Sequence, residues 1–108
     1  MVISSNLGFP RIGAKRELKW EIERFWSGKS DEKTLTHTAA AIRKENWLFQ
    51  YAQGIAHIPS NDFSFYDHVL DTTTMVGAIP PRFGTIRGTV GSDIYFAMAR
   101  GTSTAPAM

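Results

Sequence analysis

An α/β fold that is unfinished, and mostly helical by residue count, is what this sequence predicts. Three observations carry that expectation. Two short apolar runs bounded by glycine or proline alternate with longer stretches of helical period, the order of a parallel α/β sheet. Two strands cannot make a parallel sheet covered on both faces, so the sheet needs strands that this segment lacks. Residues 102–108 show neither period nor terminator, and the chain reads as cut rather than finished.

The first strand is expected over 3–9, leaving its sheet at Pro10, a residue that strand interiors exclude. A helix is predicted over 15–26, because Leu18, Ile22, Phe25 and Trp26 form one apolar stripe. Gly28 then supplies a left-handed cap. Ser30 is the expected N-cap of a second helix, with Asp31 and Glu32 in its first turn against the positive helix end. That helix runs to Gln53 and stops at Gly54. Leu35, Ala39, Ile42 and Phe49 make its stripe, widened by Ala41, Leu48, Ala52 and Ile55.

A second strand is expected over 55–59. Ser64 and Asp67 read as a capping box before a third helix marked by Phe65, Val69, Thr73 and Val76. Pro80 and Pro81 open a loop containing Gly84, Gly88 and Gly91. A last short helix runs from Ser92, as N-cap, to Arg100 and ends at Gly101.

At 108 residues the chain holds one small domain at most. Hydrophobic residues are 43% and charged residues 20%, a balance that argues against disorder. Cysteine is absent, which excludes a disulfide framework or a thiolate zinc site in this segment. No basic leader with an apolar run begins the chain, and no stretch approaches the ~18 apolar residues of a membrane span. A net charge of +2 is far from a nucleic-acid-binding profile. The expectation is a cytoplasmic protein without nucleic-acid or membrane partners.

The feature with most chemical content is the basic cluster Arg11, Lys15, Arg16 and Lys19. It crowds the end of the first helix where the macrodipole already places about half a positive charge. Arg16 and Lys19 are three apart, and Lys15 and Lys19 four apart, so they share a face. An anion bound there would explain a cluster that costs local stability. The plainer reading is a solvated basic face partnered by Glu17 and Glu21. Both stay open on residue types alone.

Other candidates are weaker. His37, His57 and His68 match no zinc spacing; His37 sits on an exposed helix face, and His57 fits a hydrogen-bonded core histidine. Asp62, Asp67, His68 and Asp71 could form an acid–base set at a strand end, but capping and turn roles explain the aspartates better. Gly84, Gly88 and Gly91 match no phosphate loop. Ser64 and Ser92 lack the context of a nucleophile.

The segments Leu7-Gly-Phe-Pro-Arg-Ile-Gly13 and Lys15-Arg-Glu-Leu-Lys19 resemble the cobalamin-independent methionine synthases. Ile58-Pro-Ser-Asn-Asp-Phe63, Tyr66-Asp-His-Val-Leu-Asp71 and Phe96-Ala-Met-Ala-Arg-Gly101 are similar to later segments of the same region. The resemblance implies methyl transfer from 5-methyltetrahydropteroyltriglutamate to L-homocysteine, giving L-methionine. It implies zinc, not cobalamin, with the zinc on the homocysteine thiolate and its ligands outside this chain.

It further implies two face-to-face (β/α)8 barrels. This chain would be the first portion of the amino-terminal TIM-like barrel, residues 1–108, with two of its eight strands. The carboxy-terminal barrel, which carries the chemistry, is absent, so no catalytic residue is expected here. The implied role is binding the folate's glutamate tail through Arg16, Glu17, Leu18 and Lys19, with Lys19 foremost. The competing reading is a non-catalytic, self-associating helical binding or scaffold module.

Overall fold

The computed structural model describes residues 1–108 and divides into two compact units, Met1–Phe65 and Tyr66–Met108. The first unit is built on two helices, α1 (Glu17–Trp26) and α2 (Glu32–Ala52), which pack on each other. Leu18 and Ile22 of α1 are buried, as are Leu35, Ala39 and Ile42 of α2. These are the core of the two stripes read from the sequence. Phe49 and Leu48 are not part of it: both are more than half exposed, and Gln50 is buried instead. Its amide accepts from Asn6 at 2.8 Å and donates to the Asn46 carbonyl at 3.0 Å, which makes burial tolerable.

Both helices stop where glycine allows the left-handed turn. Gly28 has φ 74°, and the amides of Gly28 and Lys29 return to the carbonyls of Phe25 and Arg24. Gly54 has φ 83°, with its own amide and that of Ile55 returning to Tyr51 and Gln50. This is the Schellman pattern, which satisfies carbonyls that the helix leaves unpaired.

The N-caps differ from expectation by a residue or more. α2 is capped by Asp31, whose carboxylate accepts from the Thr34 amide at 2.7 Å. Ser30 instead hydrogen-bonds the Glu21 carboxylate. A charged acceptor at the positive helix end outcompetes the neighbouring hydroxyl.

The two expected strands, 3–9 and 55–59, do not form as strands. They meet in one isolated parallel bridge between Ser5 and His57, where the Ser4 carbonyl accepts from the amides of Ala56 (3.2 Å) and His57 (2.9 Å). Ile3 is 54% exposed and Leu7 fully so, leaving the run without apolar surface to bury against. A two-stranded parallel pair has too little to hold it flat. His57 is exposed rather than a core histidine.

In the second unit, α3 (His68–Met75) is capped by Asp67, which accepts from Val69 at 2.7 Å and Leu70 at 3.2 Å. Ser64 is not its cap. The expected loop contains a 3-10 turn, Pro81–Phe83, and then α4 (Ser92–Arg100), for which Gly91 rather than Ser92 holds the cap position. Leu70, Phe83, Met98 and Ala105 form the core of this unit.

The aperiodic tail is docked. Thr102 closes a turn with Ala105, the Met108 amide donates to the Met98 carbonyl at 2.9 Å, and Arg82 holds the carbonyls of Pro106 and Ala107 at 2.9 and 3.0 Å. No helix is long and apolar enough to cross a membrane.

Hydrogen bonds from Thr34, its side chain first and its backbone amide second, hold the Asp31 carboxyl below the ordinary carboxylate value. The stabilisation is therefore complete above the ordinary value and lost as pH falls through the lowered one. Amide exchange at Thr34, corrected for intrinsic rates, should show protection at neutral pH that disappears on strong acidification. Asp31→Ala should lack that protection throughout; equal protection in the variant would remove Asp31 as the cap.

Candidate functional site

The loop 7–13 that precedes α1 is held by groups far along the chain. The Phe9 amide donates to the Asp62 carboxylate at 2.8 Å. Arg11 donates to the carbonyl oxygens of Ser64 at 2.9 Å and Phe65 at 3.3 Å. Asn46 of α2 reaches the Pro10 carbonyl at 3.2 Å. With three of its residues tied, the loop delivers the start of α1 in a fixed place.

The entry into α1 is a tight reversal. Gly13 has φ 88°, and Arg16, at φ 59°, is the one non-glycine residue with positive φ. A long side chain in that region is uncommon, and it persists where the surroundings hold it. Here the Arg16 amide returns to the Gly13 carbonyl at 3.1 Å and the Leu18 amide to the Ile12 carbonyl at 3.0 Å. The Glu17 carboxylate folds back onto the Lys15 amide at 3.0 Å, filling the space beside Gly13.

The basic cluster is thus divided. Arg11 is half-buried and committed to the 64–65 carbonyls, so it is a structural residue. Lys15, Arg16 and Lys19 remain exposed at the helix start. Among the four residues of the expected binding segment, Arg16 and Lys19 present charge to solvent. Glu17 shapes the turn, and Leu18, with 0% exposure, anchors the helix through the core. Lys19 lies 3.9 Å from the Glu23 carboxylate, with its ammonium 5.0 Å from the centre of the Trp20 ring. Neither partner was singled out by sequence reasoning, although the four-residue spacing of Lys19 and Glu23 was available to it.

A groove of about 590 Å³ runs beside this turn, lined by Phe9, Pro10, Ala14, Glu17, Ile42 and Phe49 among others. The rings of Phe9 and Phe49, both in its lining, pack on each other with centres 5.6 Å apart. No local sequence signal marks the groove, because its walls come from loop and helix residues distant in the chain.

The other candidates are occupied by structural work. Asp62 holds Phe9, and Asp67 caps α3. Asp71 accepts from the Tyr95 hydroxyl at 2.6 Å, and that oxygen accepts from the Tyr66 amide at 3.0 Å. His37 and His68 are exposed. No three His, Cys, Asp or Glu side chains are grouped to hold a metal ion, so these residues do not fit the implied zinc.

Residues 3–108 match the family described as cobalamin-independent synthase, N-terminal domain. The chain is 57% identical over 106 residues to the 5-methyltetrahydropteroyltriglutamate–homocysteine methyltransferase of Nitrosomonas europaea, covering 98% of this chain and 14% of that relative. Identity and coverage are the same for the protein of that name from Caulobacter vibrioides. For methyltransferase 2 of that name from Arabidopsis thaliana, identity is 52% over 105 residues, covering 97% of this chain and 14% of the relative. The chain therefore belongs to this family and spans 14% of the length of these relatives.

A Cβ at Gly13 would collide with the Glu17 carboxylate, whereas one at Gly28, also at positive φ, meets nothing within 4 Å. Each alanine substitution carries a backbone cost of about 1 kcal/mol. Gly13→Ala should cost roughly 0.5–1 kcal/mol more than Gly28→Ala in denaturant melts, because the Glu17 carboxylate must leave the Lys15 amide. Equal losses would show that the Glu17 carboxylate is not fixed in the turn.

Proposed function

We propose that this segment, as the family's amino-terminal part, helps a longer polypeptide transfer a methyl group from 5-methyltetrahydropteroyltriglutamate to L-homocysteine. The names of the relatives support the reaction. The part played here is capture of the substrate's glutamate tail. One observation carries that role: Arg16 and Lys19 stand exposed at the positive end of α1, on a turn fixed from behind. Carboxylates of a polyglutamate chain are what such a surface attracts.

The fold reading belongs to the same proposal. Residues 1–108 are the opening portion of a (β/α)8 barrel, and the Ser5–His57 bridge is the first parallel contact of its sheet. The exposed Val2, Ile3 and Leu7 are supporting observations, since neighbouring strands and helices would cover them. A cytoplasmic location goes with this reading. No three possible zinc ligands are grouped in this segment, and on this reading the metal is held by the rest of the longer polypeptide.

A second reading, a self-associating helical module, is favoured by the exposed Leu48, Phe49 and Tyr51 on α2. Size-exclusion chromatography with circular dichroism on the isolated chain separates the two. A cooperative oligomer would support the module, and a poorly folded chain the barrel portion.

Exposed ion pairs are each worth ~0.2–1 kcal/mol, so two or three contacts amount to roughly a few-fold to a hundredfold in affinity at low salt. Lys19→Ala in the full-length polypeptide should weaken binding of the triglutamate substrate more than of its monoglutamate form. The tail-binding role would be abandoned if both lost affinity equally.

A further inference from the structure

The solvent face of α1 carries more than its two cations. Arg16, Lys19, Trp20 and Glu23 recur at helical spacings of three and four and therefore share one side. Trp20 is 53% exposed, a large ring left in water on a polar face. The Lys19 ammonium lies over that ring, 5.0 Å from its centre. Glu23 completes the group at 3.9 Å from the same ammonium, with the two side chains 44% and 47% exposed.

The remaining acids of α1 are engaged elsewhere. Glu17 folds back onto the Lys15 amide. Glu21 is bonded to Ser30 and lies 3.6 Å from Arg24. Glu23 is thus the acid that the helix sets against its cationic face.

We infer that Glu23 occupies the seat of a ligand carboxylate on Lys19 and sets how tightly this site holds a glutamate tail. The inference rests on the tail-binding reading above and adds a specificity-determining residue to it. A γ-carboxylate of Glu23 and the carboxylates of a polyglutamate chain are the same chemical group, so they compete for one ammonium. At 3.9 Å the internal pair is beyond hydrogen-bonding distance, and a ligand carboxylate that approaches to about 2.8 Å displaces it. Trp20 keeps the ammonium in place during the exchange, because attraction to the ring face does not depend on which carboxylate is present. The internal carboxylate therefore weakens whichever ligand carboxylate reaches Lys19, and on the tail-binding reading that carboxylate belongs to the longer tail.

The test is calorimetric titration of the full-length polypeptide with 5-methyltetrahydropteroyltriglutamate and with its monoglutamate form. Glu23→Gln should tighten the triglutamate about two- to fivefold, the range of one exposed ion pair, and leave the monoglutamate nearly unchanged. Glu23→Asp keeps the charge but shortens the reach to Lys19, and should tighten the triglutamate in the same direction. Trp20→Leu should loosen the triglutamate selectively, with Trp20→Phe restoring it. Should Glu23→Gln tighten both ligands equally, or neither, while Lys19→Ala still discriminates between them, the competitor role is overturned and tail binding stands. Should Lys19→Ala not discriminate, both fall together.

Discussion

Arg11 donates to two backbone carbonyls, those of Ser64 and Phe65, 53 and 54 residues further along the chain. With the Phe9–Asp62 bond beside it, that contact decides where the start of α1 stands. A guanidinium is suited to the task, since its planar donors can serve two acceptors at once while the charge remains. Ser64 is only 1% exposed, so its carbonyl would be costly to leave without a donor. The positions of Gly13, Arg16, Glu17 and Lys19 all follow from this tether. The glycine turn works because the loop behind it is held, and the positive φ of Arg16 persists for the same reason.

The helices were legible because their signals are local. Leu18 with Ile22, and Leu35 with Ala39 and Ile42, lie on the faces that their spacing assigns, and Gly28 and Gly54 end the helices as their sequence positions suggest. Caps were less legible. A serine next to an aspartate offers two candidate acceptors, and Asp31 takes the α2 cap while Ser30 turns to Glu21. The strands were legible only as a pairing. The runs at 3–9 and 55–59 do meet in parallel, but a strand needs neighbours on its edges, and local sequence says nothing about what those neighbours are. The docking of residues 102–108 is hidden from the sequence for a related reason. Their order comes from Arg82 and the Met98 carbonyl, groups outside that aperiodic stretch.

The site divides along the same line. Charge crowding at a helix N-terminus pointed to Arg16 and Lys19, and both are exposed there. The same crowding included Arg11, whose real partners lie beyond any local window. Family resemblance named Glu17 and Leu18 together with the cations. The structure separates their physical parts: one shapes the turn and the other is buried to anchor it. Both are needed to hold the cations in place.

Lys15 and Arg16 just before α1, with Lys19 in its first turn, work against the helix dipole. Three compensations are visible on α1. The Glu17 carboxylate sits within the first turn, Glu23 lies one turn along from Lys19, and Trp20 offers its ring to the ammonium. Each of them is weak, exposed or loose, and none satisfies Lys19 with a hydrogen bond of ordinary length. A helix optimised for stability alone would not have gathered three cations at its positive end. In the proposed role, a surface that gives up its internal partner to an incoming carboxylate needs a compensation weak enough to break. The 3.9 Å pair, half in solvent, meets that requirement.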